Sequence, residues 1–299
     1  MKIIYGLLSD DSGEHYCYKP EILKTWLVKS IKQCHILNPE NEIIILTDKL
    51  HLRKFLPFAK FFNVNDYMNE NIIWFKKNYI HLSTNQYNFE KNAILRYLFL
   101  GSFCKNHNID DFLHLEPDVL VYSNVEEDGQ FFKDYDVTFL HGKAAGCSFF
   151  KNAINVFNDF FTYIKNSYSV PQIEPSGFNM EEEKKRYEHH INNKIPQGGV
   201  SDMHFWSLYR YLHPNTSFEQ MDQNINGIFY QTCMIDQKKN GLWKTKIEVI
   251  DHVSPTLIKD LEIFDNKCYG VHDKERVKIK YLHCHGHTKL FIPKYCIIK

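Results

Sequence analysis

Glu116 and Asp118 stand one residue apart, at the end of the apolar run Phe112, Leu113, Leu115, and Pro117 separates them. Proline has a fixed φ and no N–H, so a strand ladder is expected to end or bend there. In extended backbone, residues two apart project to the same side. Both carboxylates are thereby aimed at one point. Paired oxygen ligands at the end of a buried strand suit a hard divalent cation such as Mg²⁺ or Mn²⁺. The plainer alternative is a turn carrying two solvated acids.

The elements around this pair read as α/β. Ile3 to Leu8 is an almost continuous apolar run, as in a parallel strand covered on both faces, and Ser9-Asp10-Asp11-Ser12-Gly13 is the loop at its carboxyl end. Open α/β sheets bind ligands at such loops. Ile22 to Ile36 has helical spacing, and Glu42 to Thr47 is a second buried strand, which completes a right-handed crossover unit. Asp48 to Lys77 reads as less regular, with a short strand near Phe61 to Val64. Asn88 to Cys104 reads as a helix with Lys91 and Arg96 on its polar side. Further on, Asp136 to Leu140 reads as a strand and Asn152 to Ile164 as a helix. Met180 to Asn193 has the charge pattern of a solvated helix, and Gly198-Gly199 precede a helix from Met203 to Leu212 that Ser201 or Asp202 would cap. From Leu242 short strands and turns are expected.

Composition narrows the class. Of 299 residues, 43% are hydrophobic and 24% charged, the balance of an ordinary globular protein able to bury a real core. The formal net charge of zero gives bulk electrostatics no pull toward nucleic acid or an anionic membrane. No apolar run reaches transmembrane length. The first eight residues meet polar Ser9-Asp10-Asp11 at once and read as a strand, not a signal peptide. The eight cysteines form no C-x-x-C pair, so reduced, buried thiols and a cytoplasmic location are expected.

In this order the landmarks resemble the nucleotide-sugar-dependent glycosyltransferases of GT-A fold, and most of all those of the family 8 type. Ser9-Asp10-Asp11 is similar to the family's nucleotide-contacting loop, and Ala93-Ile94-Leu95-Arg96-Tyr97 to the helix before its metal motif. Glu116-Pro117-Asp118 stands where the family has Asp-x-Asp, with Glu for the first Asp. Ala144-Ala145-Gly146 resembles its Asn-Ala-Gly turn, without the Asn. Ser201-Asp202-Met203 resembles its Asp-Gln helix start, without the Gln. His283, Gly286 and Lys289 match the spacing of its His-x-x-Gly-x-x-Lys element.

The resemblance implies one GT-A domain over 1–299, with a Rossmann-like, mainly parallel sheet flanked by helices. Residues 1–124 would form the nucleotide-sugar half, and 125–299 the acceptor half with a tail for metal and diphosphate. It implies a retaining hexosyltransferase that uses a UDP-sugar donor, Mn²⁺ or Mg²⁺, and a carbohydrate or glycoconjugate/protein hydroxyl as acceptor. Glu116, Asp118 and His283 would hold the metal. Ser9, Asp10, Arg96, Lys91, Gly286 and Lys289 would contact the nucleotide-sugar, and Asp202 and Lys289 would act in transfer. Each has a plain counterpart: a turn for Ser9 and Asp10, a solvated helix face for Lys91 and Arg96, a cap for Asp202, a strand-edge histidine for His283. A zinc site from His283, Cys284, His285 and His287 is opposed by the alternation of strand faces. A sugar-1-phosphate nucleotidyltransferase lacks its Gly-rich basic loop here, and a non-catalytic carbohydrate-binding scaffold remains the other alternative.

Overall fold

The computed structural model of the chain describes residues 1–8, 26–139, 146–169, 179–194, 199–218, 221, 223, 225–239, 242–249, 256–272, 274–284, 289 and 292–298. The order is β1 (Lys2–Leu7), α1 (Leu27–Leu37), β2 (Glu42–Thr47), β3 (Lys60–Asn63), α2 (Glu70–Asn78), α3 (Tyr87–His107), β4 (Phe112–Leu115) and β5 (Val119–Val121). There follow α4 (Val125–Phe131), β6 (Val137–Thr138), β7 (Cys147–Phe150), α5 (Ala153–Ser169), α6 (Met180–Asn192), α7 (Asp202–Leu212) and β8 (Ser217–Phe218). The chain closes with β9 (Ile228–Lys239), β10 (Leu242–Val249), β11 (Thr256–Phe264), β12 (Lys267–His272), β13 (Glu275–Cys284) and α8 (Ile292–Tyr295).

The main sheet has the order β3-β2-β1-β4-β7-β6-β8. β1 runs parallel to β2 and β4, β2 runs parallel to β3, and β7 enters antiparallel between β4 and β6. Its central strands feed two cores. Ile3, Tyr5 and Leu7 join one core and Ile4 the other; Ile43 and Ile45 oppose Ile44 and Leu46 in the same way. Two covered faces explain the unbroken apolar runs. One face is covered by α2, α3, α5 and α7, the other by α1 and a second sheet. The result is the expected mixed α/β architecture with a mainly parallel sheet flanked by helices.

Two features depart from the sequence reading. The stretch from Asp48 to Lys77 holds α2, capped by the Asn69 side chain, which accepts from the Ile72 N–H at 3.0 Å. Its apolar residues serve two purposes: Ile72 and Phe75 are buried while Ile73 is exposed, so no clean period marks it. The tail also departs from short strands and turns. It forms a second sheet of order β12-β11-β10-β9-β13-β5, beginning at Ile228, and β12 pairs again with β13 to close β9 to β13 into a ring.

Pro117 marks the passage between the sheets. β4 ends at Leu115 in the main sheet, and β5 starts at Val119 in the second, antiparallel to β13. The cysteines Cys34, Cys104, Cys147, Cys268, Cys284 and Cys296 are buried. Among the described residues no helix is long and apolar enough to cross a membrane.

Candidate functional site

The turn at Pro117 is fixed from three sides. Glu116 N–H donates to the Gly146 carbonyl at 2.6 Å, Val119 N–H to the Glu116 carbonyl at 3.2 Å, and Cys284 N–H to the Asp118 carbonyl at 2.8 Å. The register of β13 on β5 sets His283 opposite Val119 and so beside Asp118. Ligand atoms of Glu116, Asp118 and His283 consequently lie within 4.8 Å of one another. His283 Nε2 is 3.2 Å from Glu116 Oε2 and 3.4 Å from Asp118 Oδ1. Lys289 Nζ lies 2.9 Å from Asp118 Oδ2 and 5.3 Å from the centre of the Trp26 ring.

Arg96 joins this cluster to Asp202. Its guanidinium is 2.5 Å from Glu116 Oε1 and 3.6 Å from Asp202 Oδ2. The stem reaches there by crossing β1 at Gly6, where a Cβ would come 2.8 Å from Arg96 Cγ. At Gly146 a Cβ would meet Glu116 Oε2 at 2.5 Å, so a side chain there would push the Glu116 carboxylate from its place. The cap of α7 is Ser201, whose N–H donates to His204 Nδ1 at 3.1 Å. Asp202 is therefore the first helical residue, and its carboxylate faces Arg96 instead of serving as the cap. Gly199, at φ +116, pairs with Ser83 and leaves no room for a Cβ, which would stand 2.1 Å from the Leu82 carbonyl.

Burial and neighbours divide the acids. Burial would raise the Glu116 carboxyl, but Arg96 and His283 outweigh it and hold the group well below the usual carboxylate range. At Asp118 burial is likewise overcome, by Lys289 and then His283, and the pKa falls. Asp202 goes the other way: burial, helped by Glu116 and Glu90 and opposed by Arg96, pushes it up to about 6. His114, two residues before Glu116, is lowered to about 3 by burial and by the Arg96 charge, so it stays neutral. Two permanent anions beside one near-neutral acid is an arrangement that can hold a cation and handle a hydroxyl.

The donor set fits a divalent ion. Asp118 Oδ1 is buried and makes no hydrogen bond among the described residues, which for an ionised oxygen marks a place for a ligand. Neighbouring ligands of a small octahedral ion at about 2.1 Å stand about 3 Å apart, close to the separations at His283 Nε2. Of the other expected site residues, Ser9, Asp10 and Gly286 lie outside the described residues, as do His285 and His287 of the zinc alternative. Lys91 is on α3, but its Nζ lies over the Tyr87 ring at 5.2 Å, and among the described residues no ion pair ties it to Glu116, Asp118 or Asp202. Sequence reasoning did not single out Gly6, Trp26 or His114. A glycine inside an apolar strand signals close backbone approach, and Gly6 could have been found that way.

No protein-family model and no curated protein matches the chain. Among solved structures, apo mouse xyloside xylosyltransferase 1 aligns at TM-score 0.42 and 11% identity, covering 78% of this chain and 87% of that one. The apo form of the glycosyltransferase GlyE of Streptococcus pneumoniae TIGR4 aligns at 0.35 and 11%, over 74% and 45%. A197 from STIV aligns at 0.29 and 12%, over 93% and 94%. Likenesses this distant assign no chemistry, which rests on the chain's own side chains.

Proposed function

We propose that the chain is a metal-dependent glycosyltransferase of GT-A fold and family 8 type. It would move a hexose from a UDP-sugar to an acceptor hydroxyl with retention of configuration. The observation that carries this reading is the meeting of Glu116, Asp118 and His283 at the bend between the sheets, with Lys289 on Asp118. Glu116 Oε2, Asp118 Oδ1 and His283 Nε2 would hold Mn²⁺ or Mg²⁺. When bound, that ion supplies Lewis-acid neutralisation of the diphosphate. Lys289 adds a compact positive charge for the departing phosphate oxygens. Arg96, charged throughout, keeps Glu116 and Asp202 in place. Asp202, ionised above about pH 6, accepts a hydrogen bond from a hydroxyl of the transferred sugar or of the acceptor. Ser9 and Asp10 would contact the nucleoside, and Gly286 would let the tail approach the diphosphate. As the anomeric C–O bond to phosphate breaks, front-face attack lets the leaving phosphate take the acceptor's proton, and no side-chain base is required.

UDP release from a panel of UDP-sugars, with Mn²⁺ and with EDTA, tests the reading. Release with one sugar that depends on Mn²⁺ is expected. Release undiminished in EDTA contradicts the metal role. Pyrophosphate-dependent formation of a UDP-sugar would point to a nucleotidyltransferase, and sugar binding without turnover to a scaffold.

A further inference from the structure

We propose that Glu90, with the ring of Tyr87 one helical turn before it, forms a binding subsite for the acceptor sugar. The proposal rests on the glycosyl-transfer reading above and assigns the acceptor end of the site, which that reading leaves open.

Glu90 is 2% exposed, and among the described residues one of its two oxygens is engaged. Oε1 accepts from Ser83 Oγ at 3.2 Å and from Asn85 Nδ2 at 2.5 Å. Oε2 is buried and has no hydrogen-bond partner among the described residues. A buried carboxylate oxygen left unmet is costly and calls for a donor. A sugar hydroxyl is such a donor, and small enough to reach a nearly closed position.

The backbone ties this carboxylate to the reaction site. Ser83, which donates to Glu90, pairs with Gly199, and Val200 N–H donates to the Leu82 carbonyl at 2.8 Å. That pairing sets Ser83, the Glu90 partner, against Gly199, three positions before Asp202, and the Glu90 charge is among those that raise the Asp202 pKa. One turn away on α3 begins an aromatic cluster. Tyr87 is one helical turn before Glu90, 46% exposed, with its ring 5.3 Å from Tyr79 and 5.5 Å from His81. A carboxylate and, one turn before it, an exposed ring with Lys91 Nζ 5.2 Å from its centre match a sugar, whose edge is hydroxylated and whose face is apolar. In the reading above Lys289 and the metal ligands take the donor's diphosphate, and Arg96 links Glu116 to Asp202. The exposed ring of Tyr87 suits the subsite to the molecule that arrives from solvent.

The test uses a panel of p-nitrophenyl hexosides as acceptors on the full chain. Glu90→Gln keeps an oxygen for Ser83 and Asn85 and turns the other position into a donor. It is expected to raise the acceptor KM roughly ten- to hundredfold, with UDP affinity in Mn²⁺ and the melting temperature unchanged. Tyr87→Ala, at an exposed position, is expected to raise it roughly threefold. Saturation-transfer NMR on the same glycosides with UDP present reads binding without turnover. Glycoside binding that depends on Glu90 in the absence of any transfer would retain the subsite and remove the transferase reading. Acceptor KM and binding at wild-type values in Glu90→Gln, or no glycoside binding by the wild type, would overturn the proposal. So would a loss of UDP affinity as large as the change in acceptor KM, which would put Glu90 on the donor side.

Discussion

Two buried aspartates lean on the same strand, β13, and they are built for different ends. Asp128, on α4, has every oxygen occupied: Lys280 pairs with Oδ1, while Ser123 Oγ and Tyr281 OH donate to Oδ2 at 2.6 and 2.7 Å. Asp118, which meets His283 two and three positions further along β13, has Lys289 on Oδ2 and, among the described residues, no hydrogen bond to Oδ1, with His283 Nε2 3.4 Å from it. Asp128 ties the second sheet to the body of the fold, because Lys280 and Tyr281 are its own residues. Asp118 spends the same kind of burial on an oxygen that no described residue hydrogen-bonds. A charge buried with all its partners is structure; a charge buried with one partner withheld is a site.

The comparison breaks most visibly if the two acids exchange phenotypes. Asp118→Ala and His283→Ala should each lose transfer by about a thousandfold, measured as initial rates at saturating Mn²⁺, while keeping a cooperative melt. Asp128→Ala should do the reverse. It strands Lys280 in a buried position and should cost roughly 3–5 kcal/mol of stability, read by urea unfolding, with the rate per folded molecule retained. An Asp118→Ala that transfers at the wild-type rate, or an Asp128→Ala that unfolds like the wild type, would undo the distinction.

Lys289→Ala sharpens it, since Lys289 is the partner that Asp118 does have. If its charge serves the leaving diphosphate, kcat should fall roughly ten- to hundredfold and donor KM far less. A loss confined to KM would make Lys289 a binding group only.

The smallest effect concerns pH. Asp202 is raised to about 6, so between its unfolded pKa of about 3.9 and that value the folded state holds the extra proton, and its contribution to stability falls as pH rises. Glu116 and Asp118 are lowered, so theirs is present above about pH 4 and is lost on acidification below it. Transfer should climb with an apparent pKa near 6 as Asp202 ionises, and Asp202→Asn should abolish that limb along with most of the rate. Ser201 caps α7, so the Asn variant should melt near the wild type; a silent variant would leave Asp202 no part in transfer.

Much of this was legible in the chain. Ile3, Ile4 and Tyr5, like Ile43 to Leu46, announce strands buried on both faces, and Pro117 announces the break that lies between Leu115 and Val119. Glu116 and Asp118 do meet, but across a turn closed by Val119 N–H on the Glu116 carbonyl, and not in the extended backbone that the sequence reading predicts. His283 is different: its place depends on β13 pairing with β5 across more than 150 residues, and only the order of landmarks pointed to it. The ring of β9 to β13 was not legible, because strands such as Thr256 to Phe264 mix Lys, Asp and Glu with apolar residues and lack a steady alternation. The cap at Ser201 could not be separated from Asp202 by composition, since both residue types cap well. Nor does sequence show that the Arg96 stem needs Gly6 bare.

The central claim is that Glu116, Asp118 and His283 form a metal site, and calorimetric titration of the purified chain with Mn²⁺ in the presence of UDP tests it directly. The account predicts one ion per wild-type chain and, in Asp118→Asn and His283→Ala, affinity weakened by roughly tenfold or more while both variants stay folded. Wild-type Mn²⁺ affinity in either variant would contradict it.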